Sequence, residues 1–100
     1  MKYKEPNIGD NSVVYKGKRY WIVELTGKDN IDGFDSEFCQ FIMYDKLEMA
    51  VIATIVKMAN GKFRSSLISH VELWHEFNDM PEVIRMTPSC ANAYYKTCIG

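Results

Sequence analysis

The sequence predicts a mainly β fold, a small barrel with a helical extension at its C-terminal end. Two runs of β-branched and aromatic residues flank a Lys-Gly-Lys-Arg turn at 16–19, which is the pattern of a β-hairpin. A second run, at 51–56, is β-branched apart from one alanine, and the Asn-Gly pair at 60–61 that follows it is a strong hairpin signal. The Thr-Pro pair at 87–88 is typical of a helix start.

The first hairpin predicts two different strand faces. Residues 1–11 form a loop that leads into the first strand. In the second strand Trp21, Val23 and Leu25 share one face, by the period of two that strands impose. We expect this face to form the core. The other face runs from Tyr20 to Glu24, and we expect it to be half exposed and available to a ligand.

A polar loop and a third strand follow the hairpin. Residues 26–35 are rich in Gly, Asp and Asn, and this loop is longer than a typical connection. Long loops in compact domains are often functional. Residues 38–44 are dense in β formers, so they are the predicted third strand.

The segment from Asp45 to Gly61 has two interpretations. As a helix it would begin at Asp45, with Glu48 at the capping-box position, giving an α+β fold in which the N-terminal hairpin packs on a helix at 45–60. As a strand it pairs with residues 62–68 through the Asn-Gly turn, so that Met58 faces Phe63 and Lys57 faces Arg64. We adopt the strand interpretation, and the helix stays open as the alternative.

The C-terminal third is predicted to be a short strand and then a helix. Residues 70–74 form a last strand, or begin a helix that runs to Phe77. The Asn-Asp-Met-Pro segment at 78–81 is predicted to interrupt regular structure, and one turn or strand is predicted to follow at 82–86. Thr87 then caps a helix that ends near residue 97. All 100 residues belong to one domain, with the barrel at 8–75 and the extension at 76–100.

Composition excludes several classes of protein. The net charge is −1, with 12 basic and 13 acidic residues, so no overall attraction to phosphate backbones is expected. The first residues lack an apolar signal core, and no apolar window is long enough to span a bilayer, which predicts a cytoplasmic protein with no membrane partner. Three cysteines, an odd number, are typical of a reducing compartment.

The chain resembles the SH3-like small barrels of the KOW and Tudor kind over residues 8–75. The resemblance depends on Gly9-Asp10, Val13-Val14-Tyr15, Gly17, Tyr20-Trp21-Ile22-Val23, Gly61-Lys62-Phe63 and Ser69-His70-Val71-Glu72-Leu73. It implies a binding domain without catalysis, whose ligand contacts come from loops and exposed aromatic residues. The segment at 45–58 is longer and more apolar than in that family, and about 25 residues follow the barrel.

No arrangement of residues predicts an enzyme, a metal site or a cofactor. His70 and His75 with Cys90 and Cys98 are zinc-ligand types, but their spacing is not that of a zinc site. Cys39 lies in an apolar run, where a thiol is expected to be inert. Phosphate-cradling glycine loops and nucleophile elbows are absent from the sequence.

Two charged regions are candidate binding surfaces. Asp29, Asp32 and Asp35, together with the aromatic residues Tyr20 and Trp74, suit a protein partner with a basic groove, such as a nucleic-acid-processing complex. The alternative is nucleic-acid binding through a basic turn and a second basic spot: Lys16, Lys18, Arg19, Lys57 and Arg64.

The function predicted from the sequence is therefore a non-enzymatic protein-binding module. Small inhibitors from phages and mobile elements, which occupy a surface of a host protein, are proteins of this kind. We expect four aromatic residues near the C-terminal end to pack on the barrel: Trp74, Phe77, Tyr94 and Tyr95. The alternative is that they form the interface of a homodimer.

Overall fold

Six antiparallel strands form one open sheet. A computed structural model describes residues 2–27, 29–68 and 70–88, with the backbone alone at 70–73. The strands follow one another across the sheet in chain order, each paired with the next. Their bounds are β1 Ser12–Lys16, β2 Tyr20–Glu24, β3 Phe41–Asp45, β4 Ala50–Lys57, β5 Phe63–Leu67 and β6 His70–Phe77. A helix, α1, covers residues 80–88.

Both faces of the sheet are covered. On one face Ile22, Met43 and Ile55 are fully buried in a cluster that includes Val83 of α1. On the other face a second cluster includes Val23, and the connection between β2 and β3 packs against it. The expected core face of β2 is confirmed. The opposite face was expected to be half exposed, but Ile22 is buried there because α1 covers it.

The segment at 45–60 is a turn and a strand, so the helix alternative is wrong. The carboxylate of Asp45 accepts hydrogen bonds from the backbone N–H groups of Leu47 and Glu48, as a helix cap would. The chain then reverses through Met49, whose φ is +56°, and enters β4. The capping pattern is present, but it closes a turn between two strands.

The β4–β5 hairpin differs from its predicted register by one residue. Its pairs are Lys57 with Phe63 and Val56 with Arg64. The Met58 N–H donates to the Lys62 carbonyl at 2.8 Å, which leaves a three-residue loop with Gly61 at φ +86°. A loop of this kind needs glycine at its third position, so the Asn-Gly pair ends the turn and does not form the whole of it.

The third strand is shorter than predicted because Asp35 organises the residues before it. The Asp35 carboxylate accepts a hydrogen bond from the Glu37 N–H at 2.9 Å. Its carbonyl accepts hydrogen bonds from the N–H groups of Phe38 and Cys39. Strand β3 therefore begins at Phe41, and Phe38 lies in the preceding turn.

The C-terminal segment is a strand followed by a helix, and the helix begins earlier than predicted. β6 runs to Phe77, so its strand interpretation is confirmed and the extension follows that residue. The Asp79 carboxylate caps α1 by accepting a hydrogen bond from the Glu82 N–H at 3.0 Å. Thr87, the predicted cap, is buried inside the helix, and its hydroxyl lies 3.5 Å from that of Ser65.

The mainly β class with a C-terminal helical segment is confirmed. The strands form an open sheet in the part of the chain that the structure describes, and the resemblance to SH3-like barrels stays a prediction.

Candidate binding surfaces

The acidic loop presents an exposed aromatic side chain that the sequence placed in a strand. Phe38 is 71% exposed, more than any other large hydrophobic residue in the described chain. Asp35 and Glu37 flank it in sequence. Two backbone hydrogen bonds to the Asp35 carbonyl fix the turn, so the ring is exposed on an ordered backbone. We call residues 29–38 the Phe38 loop.

The three predicted aspartates of this loop have different roles. Asp29 is exposed, and its carbonyl accepts a hydrogen bond from the Asn11 side chain at 2.6 Å. Asp32 is exposed at the tip of a turn closed by two 2.9 Å hydrogen bonds between Ile31 and Phe34, and its φ is +50°. Asp35 is half-buried and bonded to its own turn. Asp29 and Asp32 are therefore the exposed aspartates of the three, and the Asp29 side chain packs against Gly9.

Tyr20 and Trp74 do not join this loop. Tyr20 is half-buried against the core cluster that contains Ile22, with the Arg19 guanidinium 5.1 Å from its ring centroid. Burial, first of all, raises the pKa of its phenol. Trp74 is 42% exposed on β6, four strand spacings from β2, or roughly 19 Å across the sheet. Tyr20 and Trp74 also lie on opposite faces of the sheet. Tyr20 is paired with Asp45, which shares a face with Met43, whereas Trp74 is paired with Ser66 on the other face.

The predicted basic residues divide into three places. Lys16 and Lys18 are exposed at the first hairpin turn. Arg19 is in the same turn, but its guanidinium forms an ion pair with Asp45 at 2.8 Å. Lys57 lies at the opposite end of the sheet and shares a face with Phe63. Arg64 lies on the other face, with its guanidinium 5.0 Å from the Trp74 ring centroid. The five residues do not form one surface.

Instead, the first hairpin turn joins residues that the sequence analysis did not select. The Lys16 and Lys46 ammonium groups each lie 5.2 Å from the Trp21 ring centroid. Lys18 and Lys46 lie 6.0 and 5.8 Å from the Tyr3 ring centroid. These five residues are named the lysine–aromatic cluster below.

The N-terminal segment brings Tyr3 into this cluster. The backbone N–H of Lys4 donates to the carbonyl of Lys46 at 2.9 Å, so the segment runs beside the turn between β3 and β4. Tyr3 and Lys46 are 43 positions apart, and no local pattern predicts their contact. The sequence signal for this contact is the start Met1-Lys2-Tyr3-Lys4, in which basic and aromatic residues alternate.

A cleft of about 390 Å³ lies beside the cluster, between residues 4–7 and 30–32. Tyr44 lines it, and Tyr44 is paired with Trp21 across the sheet. Burial raises the pKa of the Tyr44 phenol, and the Asp32 carboxylate adds to this. The lining includes Lys4, Glu5 and Asp32, which differs from the mostly apolar lining of small-molecule pockets.

The thiol of Cys39 is shielded from reaction by its burial. Cys39 is 5% exposed and packs in the cluster that contains Val23. Burial, with a smaller effect of Asp35, raises the pKa of its thiol to about 11, so the thiol is protonated at neutral pH. Cys90, Cys98, Tyr94 and Tyr95 lie outside the described residues, and so does the side chain of His70.

Among residues 2–27, 29–68 and 70–88, no group of three or more His, Cys, Asp or Glu side chains is arranged to hold a metal ion. Within the same residues, no helix has the length and apolar character needed to cross a membrane. Comparison of the chain with protein-family models, with curated proteins and with solved structures finds no match.

Proposed function

We propose that the protein is a non-enzymatic binding module that recognises another protein through the Phe38 loop. The observation that favours this function most is the 71% exposure of Phe38 on a backbone fixed by hydrogen bonds. Aromatic residues are enriched at protein interfaces and supply many of the residues that dominate binding energy. A single exposed aromatic residue is ordinary on a surface, but the hydrogen-bonded turn of the acidic loop fixes the backbone from which this ring projects.

The order of the loop favours binding because little conformational freedom remains to be lost. The Ile31–Phe34 turn and the Asp35 turn are each closed by backbone hydrogen bonds. Asn11 joins the start of the loop to the body of the domain, since its amide group bonds to Thr26, Gly27 and Asp29. An interface that is ordered before binding avoids much of the entropic cost of association.

The charge of the loop indicates the kind of partner. Residues 29–38 contain four acidic side chains and no basic one: Asp29, Asp32, Asp35 and Glu37. A complementary partner would present a basic surface with an apolar pocket for the Phe38 ring, as nucleic-acid-processing proteins do at their substrate grooves. We propose that the protein acts in the cytoplasm by occupying such a surface, in the manner of small phage or mobile-element inhibitors.

The experiment measures direct binding by purified partners. Proteins that co-purify with the full chain, tagged at its C-terminus, are identified and produced in pure form, and their Kd values are measured by calorimetry. We expect Phe38→Ala to weaken binding by about 30-fold or more, the effect of losing a central aromatic contact. Met49→Ala is the matched control, because Met49 is 55% exposed in the turn at the other end of β3. It should change Kd by less than about threefold.

A second pair of variants tests the charge complementarity. Asp29→Asn with Asp32→Asn should slow association and reduce its dependence on salt, because the attraction between charges acts mainly on the association rate. Asparagine also tolerates the positive φ of Asp32. Equal Kd values for the wild type and Phe38→Ala would contradict the proposal, and so would the absence of any purified protein that binds.

A further inference from the structure

We propose that the lysine–aromatic cluster is a second binding site, which takes single-stranded nucleic acid. It contains Tyr3, Lys16, Lys18, Trp21 and Lys46. The site is distinct from the Phe38 loop in position, charge and partner. It also differs from the basic set predicted from the sequence, because it excludes Arg19, Lys57 and Arg64 and includes Tyr3 and Lys46.

Aromatic rings hold the three ammonium groups together without neutralising them. Lys46 lies near both rings, 5.2 Å from the Trp21 centroid and 5.8 Å from the Tyr3 centroid. Lys16 shares Trp21 with it, and Lys18 shares Tyr3. A cation near an aromatic face is attracted by the ring but keeps its full charge. The cluster therefore gathers three positive charges that repel one another, an arrangement that an anionic ligand would stabilise.

Within the part of the chain that the structure describes, these charges have no acidic partner. None of the three lysines has a carboxylate within 4.0 Å among the residues that the structure describes, whereas Arg19 is paired with Asp45. The segments that build this end of the molecule are 2–5, 16–20 and 45–49, and they contain six of the 12 basic residues but three of the 13 acidic ones. One end of the molecule is therefore positively charged although the net charge is −1. A local positive region of this kind is the electrostatic requirement for binding a phosphate backbone.

The position of Tyr3 favours nucleic acid over an acidic peptide. Tyr3 is 37% exposed, and the Lys18 and Lys46 ammonium groups lie 6.0 and 5.8 Å from the centroid of its ring. An exposed ring with cations nearby can stack on a base while the cations contact the adjoining phosphates. Trp21 is 6% exposed, so it supports the lysines and does not stack. Base faces are hidden within a duplex, and the site therefore requires an unpaired strand.

The test is a fluorescence-anisotropy titration of a labelled oligothymidylate of about 12 nucleotides, starting at about 20 mM salt. Lys18→Gln with Lys46→Gln should weaken binding about tenfold or more. It should also reduce the slope of log K against log salt by about 1.4, the value for two lost phosphate contacts on a single strand. Tyr3→Leu should weaken binding at least about fivefold, and Tyr3→Phe should retain it because the ring remains.

Lys57→Gln with Arg85→Gln is the matched control. Both residues are exposed away from the cluster, and the pair removes the same charge, so binding should change by less than about twofold if position and not net charge matters. The proposal is overturned if the wild type does not bind at low salt, or if the control pair loses as much affinity as the cluster pair. Tighter binding of a duplex would also overturn it. Equal binding of polyglutamate, with no effect of Tyr3→Leu, would show a site for acidic polymers instead.

Discussion

Arg19 and Asp45 form a two-pronged ion pair that joins two turns of the sheet. Arg19 Nε donates to Asp45 Oδ1 at 3.0 Å, and Nη2 donates to Oδ2 at 2.8 Å. The N–H of Lys46 donates to the Arg19 carbonyl at 2.8 Å. The pair thus fixes the β1–β2 turn beside the β3–β4 turn, and these two turns carry Lys18 and Lys46, whose ammonium groups both lie near the Tyr3 ring. Arg19, one of the predicted nucleic-acid contacts, thus positions the residues around it.

Asp45→Asn should destabilise the protein and remove part of its acid sensitivity. Burial tends to raise the pKa of Asp45, but hydrogen bonds from Arg19 and from the N–H groups of Leu47 and Glu48 lower it below its ordinary value of 3.8. A lowered pKa in the folded state means that the carboxylate stabilises the fold above the unfolded-state pKa, and that this contribution is lost as the pH falls through the folded-state pKa.

Urea denaturation checks this prediction. At neutral pH the variant should be less stable by about 2 to 4 kcal/mol, since a buried charged acceptor loses its bonds. The difference from the wild type should narrow as the pH falls below about 4. A difference that stays constant down to about pH 2.5 would show that Asp45 stabilises the fold by packing and not by its charge.

Asn11→Ala should cost about 2 to 4 kcal/mol, because the Asn11 amide is 6% exposed and fully bonded. Its Oδ1 accepts hydrogen bonds from Thr26 and Gly27, and its Nδ2 donates to the carbonyls of Ile8 and Asp29. Alanine would leave these groups without their partner. Thermal denaturation with Asn7→Ala as control checks this, since Asn7 is exposed and accepts one 3.3 Å bond. Equal losses for both variants would contradict the assigned role.

Local patterns predicted the strands better than the connections between them. The hairpin of β1 and β2 and the β-branched run of β4 are periodic over several residues, so their strands follow from sequence. Asp45 and Glu48 have the spacing of a helix start, yet the pair with Arg19 and the positive φ of Met49 make a turn there. Hydrogen bonds between a side chain such as that of Asp45 and nearby backbone N–H groups form equally well at a helix start and in a turn between strands.

The helix start and the lysine–aromatic cluster show a second limit of local patterns. Thr87 and Asp79 are both good capping residues, and packing decides between them, because Thr87 is buried against Ser65 of β5. The cluster depends on contacts between the N-terminal segment, the first hairpin and the turn after β3. Such contacts follow from strand order and register, which a single sequence does not specify.

Cys39 should resist alkylation until the protein unfolds. Its thiol is buried, and its pKa of about 11 keeps the reactive thiolate scarce at neutral pH. Iodoacetamide labelling followed by peptide mass spectrometry checks this, because the Cys39 peptide is read separately from those of the other cysteines. We expect little labelling at pH 7.5 without denaturant and complete labelling in urea. Rapid native labelling would contradict the burial of this residue.

Phe38→Ala should leave the stability unchanged, whereas Phe41→Ala should be severely destabilising. The two residues are three positions apart, but Phe38 is 71% exposed and Phe41 is 8% exposed, with its ring 6.1 Å from that of Phe63. We expect a change within about 0.5 kcal/mol for the first and a loss of about 3 to 5 kcal/mol for the second. Paired urea denaturation curves measure both. A loss above about 1 kcal/mol for Phe38→Ala would give this ring a structural role.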